Sequence, residues 1–323
     1  MEAINLFDGH CDTLLRNYER HSPDYAGGSL RRNRGHVDLE RAHGCFGRYA
    51  QFFAVFADTD TWPGKSLHQM FLEQYGLFRR TMEENSDLVR PCRTAAEAEA
   101  AFADGRCAAF LSVEGAQILD CDLEKLEDAW RKGVRMVNLT WNYENALSGS
   151  NDESPEKGLT EQGRAFVRRM QALGMIVDVS HLSDPGFWDV AQLAEEAGKP
   201  FVASHSNARA VCSHKRNLTD EQFTAIIKNQ GVAGLNMCGL FLGGNPTLDT
   251  VVAHIEHFMA LGGERNVAIG GDWDGCTMFP GMAQITDIGA LYERLLRLNY
   301  RETVVRDVFY NNLMRVVSDV CTM

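Results

Sequence analysis

Histidines and carboxylates stand at the ends of several short apolar runs in this sequence. Both are good zinc ligands, the histidine as neutral imidazole and the carboxylate through its oxygens. His10 and Asp12 are two residues apart, so on an extended segment their side chains point to the same side. A carboxylate such as Glu114 could give one oxygen to each of two ions about 3.5–4 Å apart. The full set is Asp8, His10, Asp12, Glu114, Asp178, His181, His205 and Asp272. We expect a metal site, although Asp8 or Asp178 could instead anchor a neighbouring loop amide.

Eight apolar runs position these residues. Each has the length of a buried strand and is rich in Val, Ile, Phe and Ala. They are Ala3–Asp8, Tyr49–Ala57, Cys107–Glu114, Val134–Trp141, Met175–His181, Pro200–His205, Gly231–Cys238 and Val267–Asp272. The carboxyl ends of parallel barrel strands meet at one face, which gathers the polar residues of five of these runs.

Helical segments separate most of the runs, and this alternation predicts parallel crossovers. Eight strands favour an α/β fold closed into a (β/α)8 TIM-like barrel. An open doubly wound sheet is the alternative, but the Gly-rich turn it usually has after the first strand is absent. Without a linker or internal repeat, residues 1–323 are expected to form one domain. The predicted helices are Leu67–Glu84, Leu159–Leu173, Asp184–Ala197, Val251–Leu261 and Val304–Val320, and Thr219–Gln222 has capping-box spacing.

Composition narrows the class of protein. The formal net charge is −12 and no Lys/Arg cluster stands out, which disfavours a nucleic-acid partner. No run approaches the roughly 18 apolar residues of a membrane span, and the first residues lack the features of a secretory signal. The nine cysteines form no CxxC pattern, so we expect buried free thiols and a cytoplasmic location.

The remaining histidines are weaker candidates. His254 and His257 lie one helical turn apart, and we expect solvated helix residues rather than a metal pair. His36 and His43 flank the link into the second strand and are expected to serve loop packing. His214 follows the sixth strand, where it could support the site. No Gly-x-Ser-x-Gly elbow is present, which disfavours a serine nucleophile.

An ordered set of motifs resembles the membrane (renal) dipeptidase family of zinc peptidases, in the amidohydrolase-like superfamily. The matching stretches are Asp8–Asp12, Val113–Gly115, Gly158–Arg164, Gly174–Ser183, Ser204–Ser206 with Val211-Cys212 and Arg216-Asn217, and Gly270–Gly275. No single motif is decisive, but the order is specific. The resemblance implies a barrel of the metallo-dependent hydrolase type.

The resemblance also implies two Zn²⁺ ions and a role for each matching residue. The ligands would be His10 and Asp12 for one zinc, His181 and His205 for the other, and Glu114 as the bridge. A hydroxide held between the ions would attack the scissile carbonyl. Asp272 would pass the proton from this nucleophile to the leaving amine, so Glu114 and Asp272 are the catalytic carboxylates. Arg216 would pair with the terminal carboxylate of the substrate.

One position departs from the family pattern. Where the family often has a histidine after the fourth strand, this chain has Trp141. Tryptophan cannot carry a positive charge, although its indole N–H can donate a hydrogen bond. We expect Trp141, Asn142 and Tyr143 to contact the substrate.

The leading interpretation is a dipeptidase that tolerates a D-residue on the carboxyl side of the scissile bond. Its partner would be a dipeptide; no membrane anchor is expected, and the family habit suggests a homodimer. A second interpretation is another amidohydrolase-type barrel acting on a cyclic amide or an acylated amino acid. Such enzymes usually begin with His-x-His and often bridge their metals through a modified lysine, whereas this chain has His10-x-Asp12 and no lysine ending a predicted strand. A third is a non-catalytic metal-binding barrel, which only Trp141 favours.

Overall fold

The computed structural model describes residues 3–18, 28–58 and 64–322. Nine β-strands lie in these ranges: β1 (Asn5–Cys11), β2 (Arg48–Phe56), β3 (Val89–Pro91), β4 (Cys107–Glu114), β5 (Val134–Asn138), β6 (Ile176–Asp178), β7 (Val202–Ala203), β8 (Val232–Leu235) and β9 (Val267–Ile269). Their order in the sheet is β2-β1-β9-β8-β7-β6-β5-β4-β3, with a further pairing of β2 and β4. Each of these pairings is parallel.

The pairing of β2 with β4 closes the sheet into a barrel. Residues 50–56 of β2 run beside residues 108–114 of β4. The short strand β3 pairs with residues 107–109 of β4. Strand β5 pairs with the same edge of β4 from Leu111 onward. The predicted (β/α)8 barrel is therefore confirmed, and β3 is a ninth strand that the sequence analysis missed. Three residues ending in a proline form no recognisable strand pattern.

Helices surround the barrel. They are α1 (Thr13–Tyr18), α2 (Leu39–Cys45), α3 (Leu67–Glu84), α4 (Ala95–Ala103), α5 (Leu123–Arg131), α6 (Glu161–Ala172), α7 (Asp184–Ala197), α8 (Asp220–Lys228), α9 (Gly239–Leu242), α10 (Leu248–Ala260), α11 (Ile288–Arg297), α12 (Glu302–Arg306) and α13 (Asn312–Val320), with a π-helical turn at Asp307–Asn311. Within the described ranges, none is long and apolar enough to cross a membrane.

Two helices have the predicted bounds, and local caps explain why. The Ser66 side chain accepts a hydrogen bond from the Gln69 N–H at the start of α3, and Ser183 does the same for Gly186 in α7. The predicted capping box before α8 is also present. These side chains satisfy backbone donors that the first turn of a helix leaves without partners.

The strands that lead into the site are shorter than predicted. The predicted strand Met175–His181 is three residues long in the structure, and Pro200–His205 is two residues long. Val267–Asp272 is likewise reduced to Val267–Ile269. The backbone stops pairing with the neighbouring strands before these runs end. Their polar residues therefore lie in loops above the barrel.

Apolar side chains from all eight barrel strands fill the barrel interior. They are Phe7, Phe52, Phe110, Met136, Ile176, Val202, Val232 and Ala268. The Phe7 ring stacks on Phe52 and Phe110, with ring centroids 5.5 and 5.3 Å apart. Helix α13 covers the amino-terminal end of the barrel, where the Asn312 side chain donates to the Val267 carbonyl at 2.8 Å. The carboxyl-terminal end of the barrel therefore lies above an apolar interior.

All nine cysteines are free thiols, as expected. Six of them are buried, but Cys45 is exposed and Cys212 and Cys276 are half-buried. The expectation of burial is wrong for these three, which lie at a helix end or in loops rather than in strands.

His254 does not behave as the solvated helix residue that was expected. Its side chain is fully buried in α10, and Nδ1 accepts a hydrogen bond from the Ala208 N–H at 3.1 Å. This contact requires an unprotonated Nδ1, and burial lowers the pKa of His254 to about 4. His257, one turn further, is partly exposed and lies 2.7 Å from an oxygen of Asp220.

The buried imidazole predicts a pH dependence of stability. Because the folded-state pKa of His254 lies below the value of about 6.5 for an exposed histidine, the unfolded chain binds this proton more tightly. The free energy of unfolding then falls as the pH drops from about 6.5 to about 4, by up to about 1.4 kcal/mol per pH unit. His254→Asn keeps an acceptor and should lose this component. Urea unfolding of both chelator-treated proteins across that range measures it, and equal slopes would contradict the prediction.

Candidate active site and metal centre

The five side chains predicted as metal ligands meet at the carboxyl-terminal mouth of the barrel. Glu114 is central: Oε1 lies 3.0 Å from His181 Nε2 and 3.7 Å from His205 Nε2. Its other oxygen, Oε2, lies 3.5 Å from His10 Nε2, which is 3.3 Å from Asp12 Oδ2. All five are less than one-tenth exposed. One carboxylate thus contacts histidines on three loops or strands, as a bridging ligand would.

Asp8 holds the strands around this cluster in position. Its Oδ1 accepts hydrogen bonds from the His10 N–H at 2.9 Å and from Gln51 Nε2 at 3.1 Å. Its Oδ2 accepts from the Gly271 N–H at 3.0 Å and from Trp273 Nε1 at 2.8 Å. With four neutral donors, Asp8 joins β1, β2 and the loop after β9. This matches the alternative in which Asp8 anchors a neighbouring loop amide.

Asp178 has the same function on the opposite side of the mouth. Its Oδ1 accepts from the N–H groups of Ser180 and Ser204, each at 2.9 Å. Ser180 precedes His181 and Ser204 precedes His205, so this one oxygen fixes the spacing of the two loops that carry those ligands.

Three residues of the mouth adopt the left-handed conformation that favours glycine. They are His181, Asp272 and Asp274, with φ of 71°, 59° and 65°. Each costs about 1–2 kcal/mol in a non-glycine residue. The next residue, Gly275, has no room for a side chain, because a Cβ there would lie 2.2 Å from Asp12 Oδ2 and 2.5 Å from Asp272 Oδ1. The backbone accepts this strain where it turns side chains into the mouth.

The imidazoles of His181 and His205 face each other through their Nε2 atoms. His181 Nδ1 lies 2.8 Å from the acceptor Asn142 Oδ1, so Nδ1 carries the proton and Nε2 the lone pair. His205 Nδ1 lies 2.7 Å from Ser204 Oγ, and the two Nε2 atoms are 3.1 Å apart. Burial lowers the pKa of both histidines well below the ordinary value. Two neutral nitrogens at this distance fit a shared cation.

The other half of the cluster is crowded with carboxylates. Burial raises the pKa of Glu114, and the nearby Asp12 raises it further, to about 7. Burial lowers the pKa of His10, but Glu114 and Asp12 outweigh this effect and hold it well above the ordinary value. Within the described ranges, His10 Nδ1 and Asp12 Oδ1 are buried without a hydrogen-bond partner. A cation beside His10 Nε2 would relieve the repulsion between the carboxylates, and Asp12 Oδ1 is free to bind it.

Two groups of donor atoms are compact enough for a metal ion. One comprises His10, Glu114 and His205, the other His10, Asp12 and Asp272, each with ligand atoms within 4.8 Å of one another. The donor set of imidazole nitrogens and carboxylate oxygens suits divalent zinc. His10 belongs to both groups, so the division of ligands between two ions remains a prediction.

Asp272 is oriented by a buried amide. Asn236 Nδ2 donates to Asp272 Oδ2 at 2.9 Å, while Asn236 Oδ1 accepts from the Cys238 N–H at 2.7 Å. The Cys238 contact fixes which end of the amide faces Asp272. Burial raises the pKa of Asp272. Asn236 was not recognised in the sequence, although it is a polar residue directly after β8.

Arg216 is buried in the mouth, where its charged group contacts an aromatic ring. Its three guanidinium nitrogens have no hydrogen-bond partner within the described ranges, and the group lies 5.5 Å from the centre of the Phe241 ring. Arg209, the neighbouring alternative, is instead paired with both oxygens of Asp184 at 2.8 and 2.9 Å. His214 Nδ1 accepts from the Arg216 N–H at 3.1 Å and so supports this loop. A buried guanidinium fork suits an incoming carboxylate.

A cavity of about 370 Å³ lies over the cluster. Trp141 and Asn142 line it, with the Trp141 ring centroid 4.8 Å from that of Phe56. Tyr143 packs on the outer side of Trp141 at 5.4 Å and is 41% exposed. Among the described residues, the lining of this central cavity does not include Tyr143. Asn142 has a second task that the sequence analysis missed, since it also holds His181.

We predict that Asn142 acts on the metals through His181. Asn142→Ala removes the acceptor at His181 Nδ1, and loss of such a partner lowers metal affinity about 10- to 100-fold. Asn142→Asp keeps an acceptor and should restore most of it. Competition with a chromophoric chelator measures the affinity of each protein for Zn²⁺. Unchanged affinity in Asn142→Ala would show that the contact does not position the imidazole.

The chain is similar to proteins of a known family. The family model described as membrane dipeptidase (peptidase family M19) matches residues 1–323. A metallo peptidase from Rhodobacter sphaeroides, liganded with a phosphinate mimic of the dipeptide L-Ala-D-Ala, has a TM-score of 0.85 and 29% identity over 99% of this chain and 100% of that one. The structure of the metallo peptidase called dipeptidase AC has a TM-score of 0.85 and 30% identity over 100% of both chains. A protein encoded in the pqqA 5′ region of Klebsiella pneumoniae is 32% identical over 270 residues, 80% of this chain and 98% of its own. The chain belongs to the membrane dipeptidase family of metallopeptidases.

Proposed function

We propose that the protein is a zinc-dependent dipeptidase with two metal ions. The observation that carries this proposal is the bridging position of Glu114 among three histidines, beside the buried and unpartnered Arg216. The first feature suits a pair of divalent ions, and the second suits a substrate with a free carboxylate. A simple cyclic amide has no such carboxylate, so Arg216 favours a dipeptide or an acylated amino acid over that alternative. A cytoplasmic location and a homodimer stay predictions.

The side chains of the site and the bound metal ions would have separate roles in hydrolysis. His10, Asp12, His181, His205 and Glu114 would hold the ions, which when bound would activate a water molecule and polarise the scissile carbonyl. Asp272 lies beside His10 and Asp12 and is held there by the Asn236 side chain. It would take the proton of the water molecule and deliver it to the leaving amine.

The carboxyl-terminal residue of the substrate would lie on the Arg216 side of the central cavity. Tolerance of a D-residue at this position is supported by the Rhodobacter sphaeroides relative, which was crystallised with the L-Ala-D-Ala mimic. Trp141 would form the wall next to the scissile bond and present an uncharged indole.

A hydrolysis screen tests the proposed function. L-Ala-L-Ala and L-Ala-D-Ala are incubated with the zinc-loaded protein and with protein stripped by a chelator, and the released amino acids are counted. We expect the zinc-loaded protein to cleave both peptides and the stripped protein to cleave neither. If neither is cleaved while two zinc ions are bound, the dipeptidase assignment is wrong.

Glu114 should be needed for both ions. Glu114→Ala is expected to bring the zinc content from about two ions per chain to near zero and to abolish hydrolysis. Elemental analysis after dialysis gives the stoichiometry. Glu124→Ala, which changes an exposed glutamate of α5, is the matched control and should keep both. One ion retained in Glu114→Ala would contradict a bridging role.

Arg216 should affect binding and stability in opposite directions. Arg216→Met removes the carboxylate partner, so KM for dipeptides should rise strongly while C-terminally amidated dipeptides respond little. It also removes a buried group without hydrogen bonds, so the metal-free protein should gain about 1–3 kcal/mol of stability.

Arg209→Met provides the contrast for this variant. Arg209 is paired with Asp184, so its loss should lower stability rather than raise it. Steady-state kinetics and urea unfolding measure both effects. Equal losses on free and amidated peptides in Arg216→Met would count against its role.

A further inference from the structure

A cavity of about 530 Å³ lies on the outside of the barrel, between α3, α5 and the short strand β3. It forms where β3 and β5 meet along β4: Pro91 ends β3, Gly133 directly precedes β5, and both line the cavity. None of its lining residues lines the central cavity over the metal cluster. Its volume is within the range of about 300–1,000 Å³ that is usual for small-molecule sites.

The lining of this outer cavity is positively charged, although the protein has a formal net charge of −12. Its charged residues are Arg79, Arg90, Arg93, Arg106, Arg131 and Lys132, with Glu83 and Glu97 as the carboxylates. Four of the basic residues pair with a neighbouring carboxylate. The pairs are Arg93–Glu97, Lys132–Asp128, Arg106–Asp104 and Arg79–Glu83. The two other arginines are therefore the ones that decide the charge of the cavity.

Arg90 has no partner of its own. It is half-buried in β3, and within the described ranges its side chain forms neither a hydrogen bond nor an ion pair. Burial raises the pKa of Glu97, whereas Arg93 and, after it, the charge of Arg90 lower it. The hydrogen bonds of that carboxylate nevertheless go to Arg93, through the backbone N–H at 2.6 Å and the guanidinium at 2.8 Å. The Arg90 guanidinium thus keeps its donors for a ligand.

Arg131, in the last turn of α5, has only distant carboxylates. Its nitrogens lie 3.8 Å from oxygens of Glu127 and Asp128, which is beyond hydrogen-bonding distance. Glu127 is closer to Arg169, at 2.7 Å. Asp128 is closer to Lys132, at 2.6 Å. Both carboxylates are therefore bound more tightly elsewhere, and Arg131 adds a second available guanidinium to the cavity.

Apolar side chains also line the outer cavity. They are Phe78 and Met82 of α3 and Leu111 of β4. An inorganic ion would occupy a small part of this volume and leave the apolar side chains unused. An anion with an apolar body would contact both kinds of surface. A phosphate monoester carries a charge of about −1.5 to −2 near neutral pH, which matches two guanidinium groups.

We propose that the outer cavity binds a small phosphate monoester with an apolar or aromatic body. Arg90 and Arg131 bind its phosphate, and the body packs on Phe78 and Met82. The fork of a guanidinium group fits two phosphate oxygens, which gives the site its preference for this group. The inference goes beyond the proposed dipeptidase function and does not rest on it, because the two cavities have no lining residue in common.

Met82 allows binding at this place to be observed directly. Phenyl phosphate is titrated into zinc-loaded protein with isotope-labelled methionine methyl groups, and the spectrum of Met82→Leu identifies the Met82 resonance. We expect a saturable shift of this resonance, because the phenyl ring would lie against the Met82 side chain. Phosphate bound at the zinc ions would leave the Met82 resonance in place.

Charge variants and related probes test the recognition of the phosphate. Arg90→Gln and Arg131→Gln should each raise the Kd for phenyl phosphate about tenfold. Arg131 is exposed, so its variant tests the site without disturbing a strand. Arg80→Gln changes an exposed arginine of α3 outside the lining and should keep the wild-type Kd. Phenol, without charge, and benzoate, with one, should both bind more weakly than phenyl phosphate.

Four outcomes would contradict this inference. Without a saturable shift of the Met82 resonance, the site does not exist. An unchanged Kd in Arg90→Gln and Arg131→Gln would remove the arginines from it. Phenol that binds as tightly as phenyl phosphate would show an apolar cavity rather than an anion site. Benzoate that binds more tightly would replace the phosphate monoester with a carboxylate. Each of these outcomes leaves the dipeptidase proposal untouched.

Discussion

The repulsion between carboxylates buried together in the mouth of the barrel is the constraint on which the rest of this structure depends. Two like charges about 4 Å apart repel by about 4 kcal/mol at an effective dielectric constant near 20. Burial raises the pKa of Glu114, and the charge of Asp12 raises it further, to about 7. Divalent cations would turn the same crowding into attraction. Metal binding and the stability of the mouth are therefore coupled.

A separate layer of contacts keeps the mouth in shape without metal. Asp8 and Asp178 are buried carboxylates, but their partners are N–H groups of the loops rather than the cluster itself. They hold the loops that contain the left-handed residues His181 and Asp272. The strain in these loops is offset by hydrogen bonds that do not depend on a ligand, so the donor atoms are already near their working positions.

Sequence patterns predicted the features that depend on neighbouring residues, such as helix bounds. They missed contacts between residues that only the folded chain brings together. The bounds of α3 and α7 follow from serine caps and an apolar stripe, whereas α4 has alanine on every side and gave no stripe to detect. Ligand types at strand ends sufficed to gather the site, because barrel geometry brings those ends together. Spacing does not show which way a loop side chain turns, so Ser204 and Asn236 were missed as partners of the site. His254 looked solvated because the loops that bury it are distant in sequence.

The helix that covers the barrel floor also affects how this protein is made. Phe7, Phe52 and Phe110 face the interior from strands near the start of the chain, while α13 is synthesised after all the strands. At about 5–20 residues per second, a ribosome leaves that aromatic layer without its cover for many seconds. These three rings therefore lack the cover of α13 until the last residues of the barrel's helices have been synthesised.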